Sequence, residues 1–317
     1  MVVASIIRRG GSRTQIRKNA RRILSLLDGC TGVTDRCTEG RKLLDSLQVV
    51  ARGCVHQSPP PQQVPDQKQI TIDPSSVTSL QLKIFHNDVE IGGATGFVME
   101  KNNKRYLVTN RHVVLACAQD KNSTNVGGWI CANKLGILHN RLNHLGEWVW
   151  VTEDLVDEHN NKRWLEHPTL GAAADLVALP LKHMEDVKFY PLDVDLSKAD
   201  VVVGPADPVS IVGFPYGLAQ QGGLPVWKTG TVASDLDINI GGKPIFLVDT
   251  TSRPGMSGSP VYAVRSGAFR SSDGSLHTAI GGSIKKFLGV YSEQIQAAEL
   301  GGVWKAEAVM ALYDSLP

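Results

Sequence analysis

Apolar residues recur along this chain with two rhythms, and the rhythm changes at a run of prolines. Within 13–27, Ile16, Ala20, Ile23, Leu24 and Leu27 follow helical spacing, as do Leu43, Leu44 and Leu47 within 39–50, which predicts a small helical module or hairpin. Beyond the prolines come short β-rich runs at 80–85, 95–99, 105–109, 176–181, 209–212, 245–249, 260–264 and 287–291, broken by glycine and polar turns. Helices do not alternate with these runs as a parallel α/β fold requires, so the expected class is all-β, an antiparallel sandwich or barrels. One helix over 303–316, after Gly301-Gly302, ends the pattern. The stretch from about 119 to 167, rich in Asn, His, Trp and charge, reads as a long surface excursion with some strand content.

The boundary itself is Ser58-Pro59-Pro60-Pro61-Gln62-Gln63-Val64-Pro65, which no helix or central strand tolerates. It divides the chain into a basic, helical module at 1–57, a proline-rich linker at 58–70 and a main domain at 71–317. Of the 317 residues 42% are hydrophobic and 20% charged, a globular composition that excludes disorder as the main state. No window approaches the roughly 18 uninterrupted apolar residues of a membrane helix, and no secretory signal is visible at the N-terminus. Residues 1–76 hold twelve Lys and Arg against six Asp and Glu, whereas the remainder sums to −4. The basic front suits a nucleic acid, an anionic surface or an organelle transit peptide, and a solvated helix face or arm is the simpler reading. The five cysteines include no C-x-x-C pair, so reduced thiols in a cytosol-like compartment are the default, with a Cys117–Cys131 bridge left open. A cytoplasmic location is therefore favoured, and organelle targeting stays open.

Three local patterns carry chemistry. After Gly92-Gly93-Ala94-Thr95-Gly96-Phe97-Val98, a hairpin turning at 101–104 leads into Thr109-Asn110-Arg111-His112-Val113 and delivers His112 just past a strand end. Ala173-Ala174-Asp175-Leu176-Val177 puts one carboxylate immediately before an apolar strand. Arg253-Pro254-Gly255-Met256-Ser257-Gly258-Ser259-Pro260 puts a serine in a glycine-rich turn that runs into another strand. A serine hydroxyl is a weak nucleophile, so acyl transfer needs an imidazole base and a carboxylate to orient it. Each role has one candidate here. The small residues around Ser257 let the backbone N–H groups of Gly255 and Ser257 converge on a carbonyl oxygen that gains charge, and one such donor contributes about 3–4 kcal/mol in a comparable site.

In order and context, His112, Asp175 and Ser257 resemble the triad of the chymotrypsin-like (trypsin-like) serine peptidases. T-N-R-H-V and G-M-S-G-S-P are most similar to the bacterial glutamyl-endopeptidase-like and related trypsin-like branches. The likeness covers roughly 76–317. It implies two antiparallel β-barrels, one over about 76–195 supplying His112 and Asp175 and one over about 200–300 supplying Ser257, with a C-terminal helix and a small N-terminal helical extension. It also implies serine endopeptidase activity through an acyl-enzyme, with a protein or peptide as substrate. In 287–292 the resemblance gives Ser292 a supporting role toward Asp175, pairs Glu293 and Gln294 with substrate backbone, and sets Thr251 at the base of the pocket for the residue before the scissile bond.

The chain also departs from that family. Met256 stands where the digestive enzymes have an acid that captures a new N-terminus, so maturation by that ion pair is not expected. Tyr291 stands where the glutamyl branch commonly has a histidine. The alternative function is a catalytically silent or latent trypsin-like fold acting as a binding or scaffold module. Neither a cofactor nor a metal is expected: His139, His144, His159 and His167 form no H-E-x-x-H and have no cysteine at zinc spacing, and they read as surface side chains. A G-x-S-x-G hydrolase is excluded because Ser259 takes the second glycine position and the histidine comes first.

Overall fold

The computed structural model describes residues 71–119, 128–144, 146–295 and 298–317. The expected helical module and proline linker lie outside the described residues. After a short helix α1 (Pro74–Thr78), the first half contains β1 (Ser79–His86), β2 (Val89–Lys101), β3 (Lys104–Thr109), the single-turn helix α2 (Arg111–Val114), β4 (Cys117–Gln119) and β5 (Trp129–Cys131). It continues with β6 (Lys134–Arg141), β7 (Trp148–Asp154), β8 (Leu165–Glu166), β9 (Val177–Pro180) and β10 (Val187–Lys188). The second half holds β11 (Pro208–Gly213), β12 (Val226–Val232), β13 (Ile245–Asp249), β14 (Pro260–Arg270), β15 (Leu276–Ile295), β16 (Leu300–Lys305) and helix α3 (Ala306–Ser315).

The class is all-β with two antiparallel barrels. The second closes fully, in the order β11-β12-β13-β16-β15-β14, whereas the first is an eight-stranded sheet whose path runs β10-β6-β1-β2-β3-β9-β8, with β7 on β6. Asn102 and Asn103, with φ of 53° and 60°, make the two-residue turn between β2 and β3. Positive φ at both central residues gives that turn the twist its strands require, and asparagine tolerates it well.

Several strands are apolar on both faces, and their period of two explains why. Phe97 and Met99 on β2, Tyr106 and Val108 on β3, and Ala178 on β9 face a shared layer that also receives Val212, Tyr262, Phe287 and Trp304. Their neighbours Val98, Leu107, Val177 and Leu179 face the core of the first barrel. Each such strand is therefore buried twice, and every fully buried large side chain contributes about 1.5–3 kcal/mol of transfer free energy. Helix α3 closes this layer through Ala308, Val309 and Leu312. It is tied to the β2–β3 hairpin by the Tyr313 hydroxyl donating to the Glu100 carbonyl at 3.1 Å.

Four expectations need correction. The stretch 119–167 is not a surface excursion: β6 is an inner strand paired on both sides, and β7 pairs with it over its whole length. Glu153 of β7 is fully buried and accepts from Arg163 at 3.1 Å and from the Lys182 N–H at 2.8 Å, so its charge is compensated. His139 and His167 are buried as well, and burial pushes the His139 imidazole down to about 4. The segment 303–305 belongs to β16, and the helix starts only at Ala306. Finally, the β4–β5 register sets Cys117 opposite Cys131, with Cα atoms 4.0 Å apart, and the two form a disulfide rather than free thiols. Cys30, Cys37 and Cys54 lie outside the described residues. Among the described residues no helix is long and apolar enough to cross a membrane, and no cluster of three metal-binding side chains occurs.

Candidate active site

Asn110 ends β3 and caps α2, turning the chain so that His112 leaves the sheet. The Asn110 side-chain amide donates to the Asp175 carbonyl at 2.8 Å, joining this turn to the start of β9. Asp175 lies between Ala174 and Leu176, both fully buried, and these apolar anchors fix its backbone while the carboxylate faces the cleft. Its Oδ1 accepts the His112 backbone N–H at 2.8 Å, and its Oδ2 lies 2.7 Å from His112 Nδ1. An ionised carboxylate can only accept, so Nδ1 carries a proton, and in the neutral imidazole it is Nε2 that keeps the lone pair. Ser292 Oγ donates to the same Oδ2 at 2.5 Å. Burial pushes the Asp175 carboxyl up, but the hydrogen bond and charge of His112, the Ser292 hydroxyl and the His112 N–H outweigh it. The group is held below the usual carboxylate range.

Ser257 sits in a double turn in which the Met256 N–H reaches the Arg253 carbonyl at 3.2 Å and the Ser259 N–H reaches that of Met256 at 3.0 Å. Met256 is 1% exposed and packs with Val209, Ile211 and Phe246, so an apolar anchor stands where an ion pair is absent. Gly255 has φ +94°, and a Cβ on it would come 2.3 Å from the Phe214 carbonyl oxygen. Among the described residues, the N–H groups of Gly255 and Ser257 donate to no protein acceptor, whereas those of Met256, Gly258 and Ser259 all do. Ser257 Oγ donates to the Ser292 carbonyl at 3.1 Å, and no hydrogen bond joins it to His112.

His112, Asp175, Ser257 and Ser292 share one cavity of about 680 Å³, whose walls also include Arg111, Ala173, Lys243, Arg253 and Trp304. Arg111 is paired with Glu166 at 3.2 Å, whereas Lys243 and Arg253 have no acidic partner among the described residues. Among the described residues the cavity wall thus carries two unpaired cations, Lys243 and Arg253, and one carboxylate, Asp175, which is already bound by His112.

The family model described as a trypsin-like peptidase domain matches residues 94–269, more than half of the chain. The chain belongs to the trypsin-like peptidase family. It is thus a serine peptidase by class. No curated protein matches it. Among solved structures it is similar to the serine endoprotease from Yersinia pestis, with 13% identity and a TM-score of 0.40 over 78% of this chain and 69% of that one. It is also similar to the active form of the Rv3671c protease from M. tuberculosis, with 16% identity and a TM-score of 0.43 over 76% and 81%. Nothing in these matches supports a nucleic-acid partner for the basic front of the chain.

Within this trypsin-like frame, His112, Asp175, Ser257 and Ser292 meet in one place, and Gly255 lies in the loop between the cavity-lining Pro254 and Ser257. Thr251 does not join them: it is exposed and off the cavity wall, where Ser252, Arg253 and Pro254 stand instead. Glu293 and Gln294 lie on β15, with side chains outside the described residues. Tyr291 is buried beneath Gly301, where a Cβ would meet its ring at 2.4 Å. Three contributors carry no strong local signal. Asn110 and Arg111 are ordinary polar residues in sequence, and Thr95 reads only as one residue of a strand.

Proposed function

We propose that the chain is a serine endopeptidase that hydrolyses peptide bonds through an acyl-enzyme, with Ser257 as nucleophile, His112 as general base and Asp175 orienting His112. The observation that carries this reading is the two-point grip of the Asp175 carboxylate on His112, which selects the tautomer with Nε2 as the base in the cavity that holds Ser257. The Ser257 hydroxyl turns from the Ser292 carbonyl to Nε2 and gives up its proton as Oγ bonds to the scissile carbonyl carbon. The Gly255 and Ser257 N–H groups take the oxyanion. The imidazolium then protonates the departing amine, and a water deprotonated by the same nitrogen releases the acid. We assign this activity to residues 71–317, with 1–57 as a separate module and 58–70 as its linker.

The Ser257–Ser292 hydrogen bond favours a second reading, a latent form or silent scaffold. Labelling by a fluorophosphonate separates the two. Stoichiometric modification at Ser257 is the expected result, and an unlabelled, folded protein would establish the latent reading.

Substrate choice follows from the charges of the cleft. With Lys243 and Arg253 unpaired on the walls and no free carboxylate there among the described residues, a cationic side chain beside the scissile bond meets repulsion. A polar or acidic residue there is the better fit. A peptide library should show Lys and Arg disfavoured by about tenfold or more against Gln, and a profile dominated by Arg or Lys would refute this.

A further inference from the structure

The loop that carries Ser257 belongs to the second barrel, yet a residue of the first holds two of its carbonyls. Thr95, on β2, is fully buried. Its hydroxyl donates to the Gly255 carbonyl at 2.8 Å and accepts the Phe214 N–H at 3.1 Å. Its own N–H donates to the Ser257 carbonyl at 2.8 Å, and its carbonyl accepts the Thr109 hydroxyl at 2.8 Å. Every polar atom of this residue is engaged, and the approach is so close that a Cβ on Gly258 would fall 1.9 Å from the Thr95 carbonyl oxygen.

The peptide planes show what these bonds do. The Gly255 carbonyl lies in the 255–256 plane and the Ser257 carbonyl in the 257–258 plane, so Thr95 holds both planes that flank the one bearing the Ser257 N–H. The Gly255 N–H lies in the 254–255 plane, whose Pro254 carbonyl accepts the Tyr216 N–H at 2.6 Å. Thr95 reaches that plane too, because its hydroxyl anchors Phe214 at the start of the segment that carries Tyr216. The Ser257 N–H lies in the 256–257 plane, whose Met256 carbonyl accepts the Ser259 N–H at 3.0 Å, and with Thr95 fixing the planes on either side that N–H is held at both ends of its peptide.

We propose that the Thr95 hydroxyl is a positioning residue for the oxyanion-binding N–H groups, a pin from the first barrel that holds the Gly255–Ser257 loop in its donating conformation. This rests on the serine-peptidase reading above and goes beyond it by making the geometry of one barrel's loop depend on a side chain of the other. Valine has the same shape as threonine but leaves Phe214 N–H and Gly255 C=O without a partner, whereas serine keeps the hydroxyl and loses only a methyl group.

The test compares wild type, Thr95→Val and Thr95→Ser in the full chain, reading kcat and KM on one peptide substrate, fluorophosphonate labelling rate and thermal stability. Loss of a whole oxyanion donor costs about 10²–10³ in kcat, so a misaimed pair in Thr95→Val should lower kcat by about ten- to a hundredfold, with KM changed less than about threefold. Labelling should slow in parallel, and Thr95→Ser should restore most of the rate. A merely structural role would lower the melting temperature and leave kcat of the folded enzyme alone, which overturns the proposal. So does a Thr95→Ser protein as slow as Thr95→Val. Should Thr95→Val not fold, Thr95→Cys, with a weak donor in the same place, should show an intermediate kcat, and a wild-type rate there overturns the proposal as well. A folded wild type that neither hydrolyses nor labels would remove the serine-peptidase reading itself, an outcome distinct from all of these.

Discussion

Ser257→Ala abolishes peptide hydrolysis while leaving the fold intact, because the hydroxyl contributes chemistry and only one hydrogen bond, to the Ser292 carbonyl at 3.1 Å. Such a bond is worth about 1 kcal/mol net. His112→Ala should behave alike. The more informative variant is Asp175→Asn, whose expected loss is about 10⁴ in kcat. The two carboxylate oxygens face three donors: the His112 backbone N–H on Oδ1, and His112 Nδ1 with the Ser292 hydroxyl on Oδ2. An asparagine has one oxygen for two places. The backbone N–H cannot move, so the oxygen turns toward it and the amide NH₂ faces the imidazole. Nδ1 must then accept, the proton moves to Nε2, and the nitrogen that should take the serine proton is already protonated. Steady-state kinetics on purified variants checks this. Near-full hydrolysis by Ser257→Ala, or more than about 1% of the wild-type rate from Asp175→Asn, which is far above the expected residue of a broken triad, would overturn the assignment.

Gly255→Ala should cost about 10²–10³ in kcat with little change in KM. Two effects act at the same residue. The backbone has φ +94°, which side-chain-bearing residues rarely adopt, and the new Cβ would lie 2.3 Å from the Phe214 carbonyl oxygen, itself held by the Gly217 N–H at 3.0 Å. The loop must shift, and the Gly255 N–H moves away from the position where the oxyanion forms. Gly241→Ala is the control: its φ is +58°, and a Cβ there meets nothing within 4 Å. That variant carries the backbone strain alone, about 1–2 kcal/mol of stability, with kcat unchanged. Equal kcat for Gly255→Ala and Gly241→Ala would refute the role given to the Gly255 N–H.

What this chain determines through local sequence is what depends on neighbours a few residues apart. The β2–β3 hairpin follows from two asparagines that tolerate positive φ, and the nucleophile turn follows from Gly255 and Gly258 around Ser257. His112, Asp175 and Ser257 are legible because each sits at the end or start of a short apolar run, which is where a strand delivers a side chain to a cleft. The doubly buried strands also announce themselves, since 97–99 and 106–108 are apolar without alternation. The expectations that failed concern contacts between distant positions. His139 and Glu153 look like surface residues because polarity is local, while their burial is decided by β6 pairing with β1 and by Arg163 and Lys182 covering β7. Thr251 and Ser252 are adjacent in the chain, and only the path of the loop puts one in solvent and the other on the cavity wall. Thr95 meets Gly255 across 160 positions. A hydroxyl in a strand carries no mark of the carbonyl it will hold, so its partner is settled only when the two barrels pack and burial favours a hydrogen bond over an unpaired group.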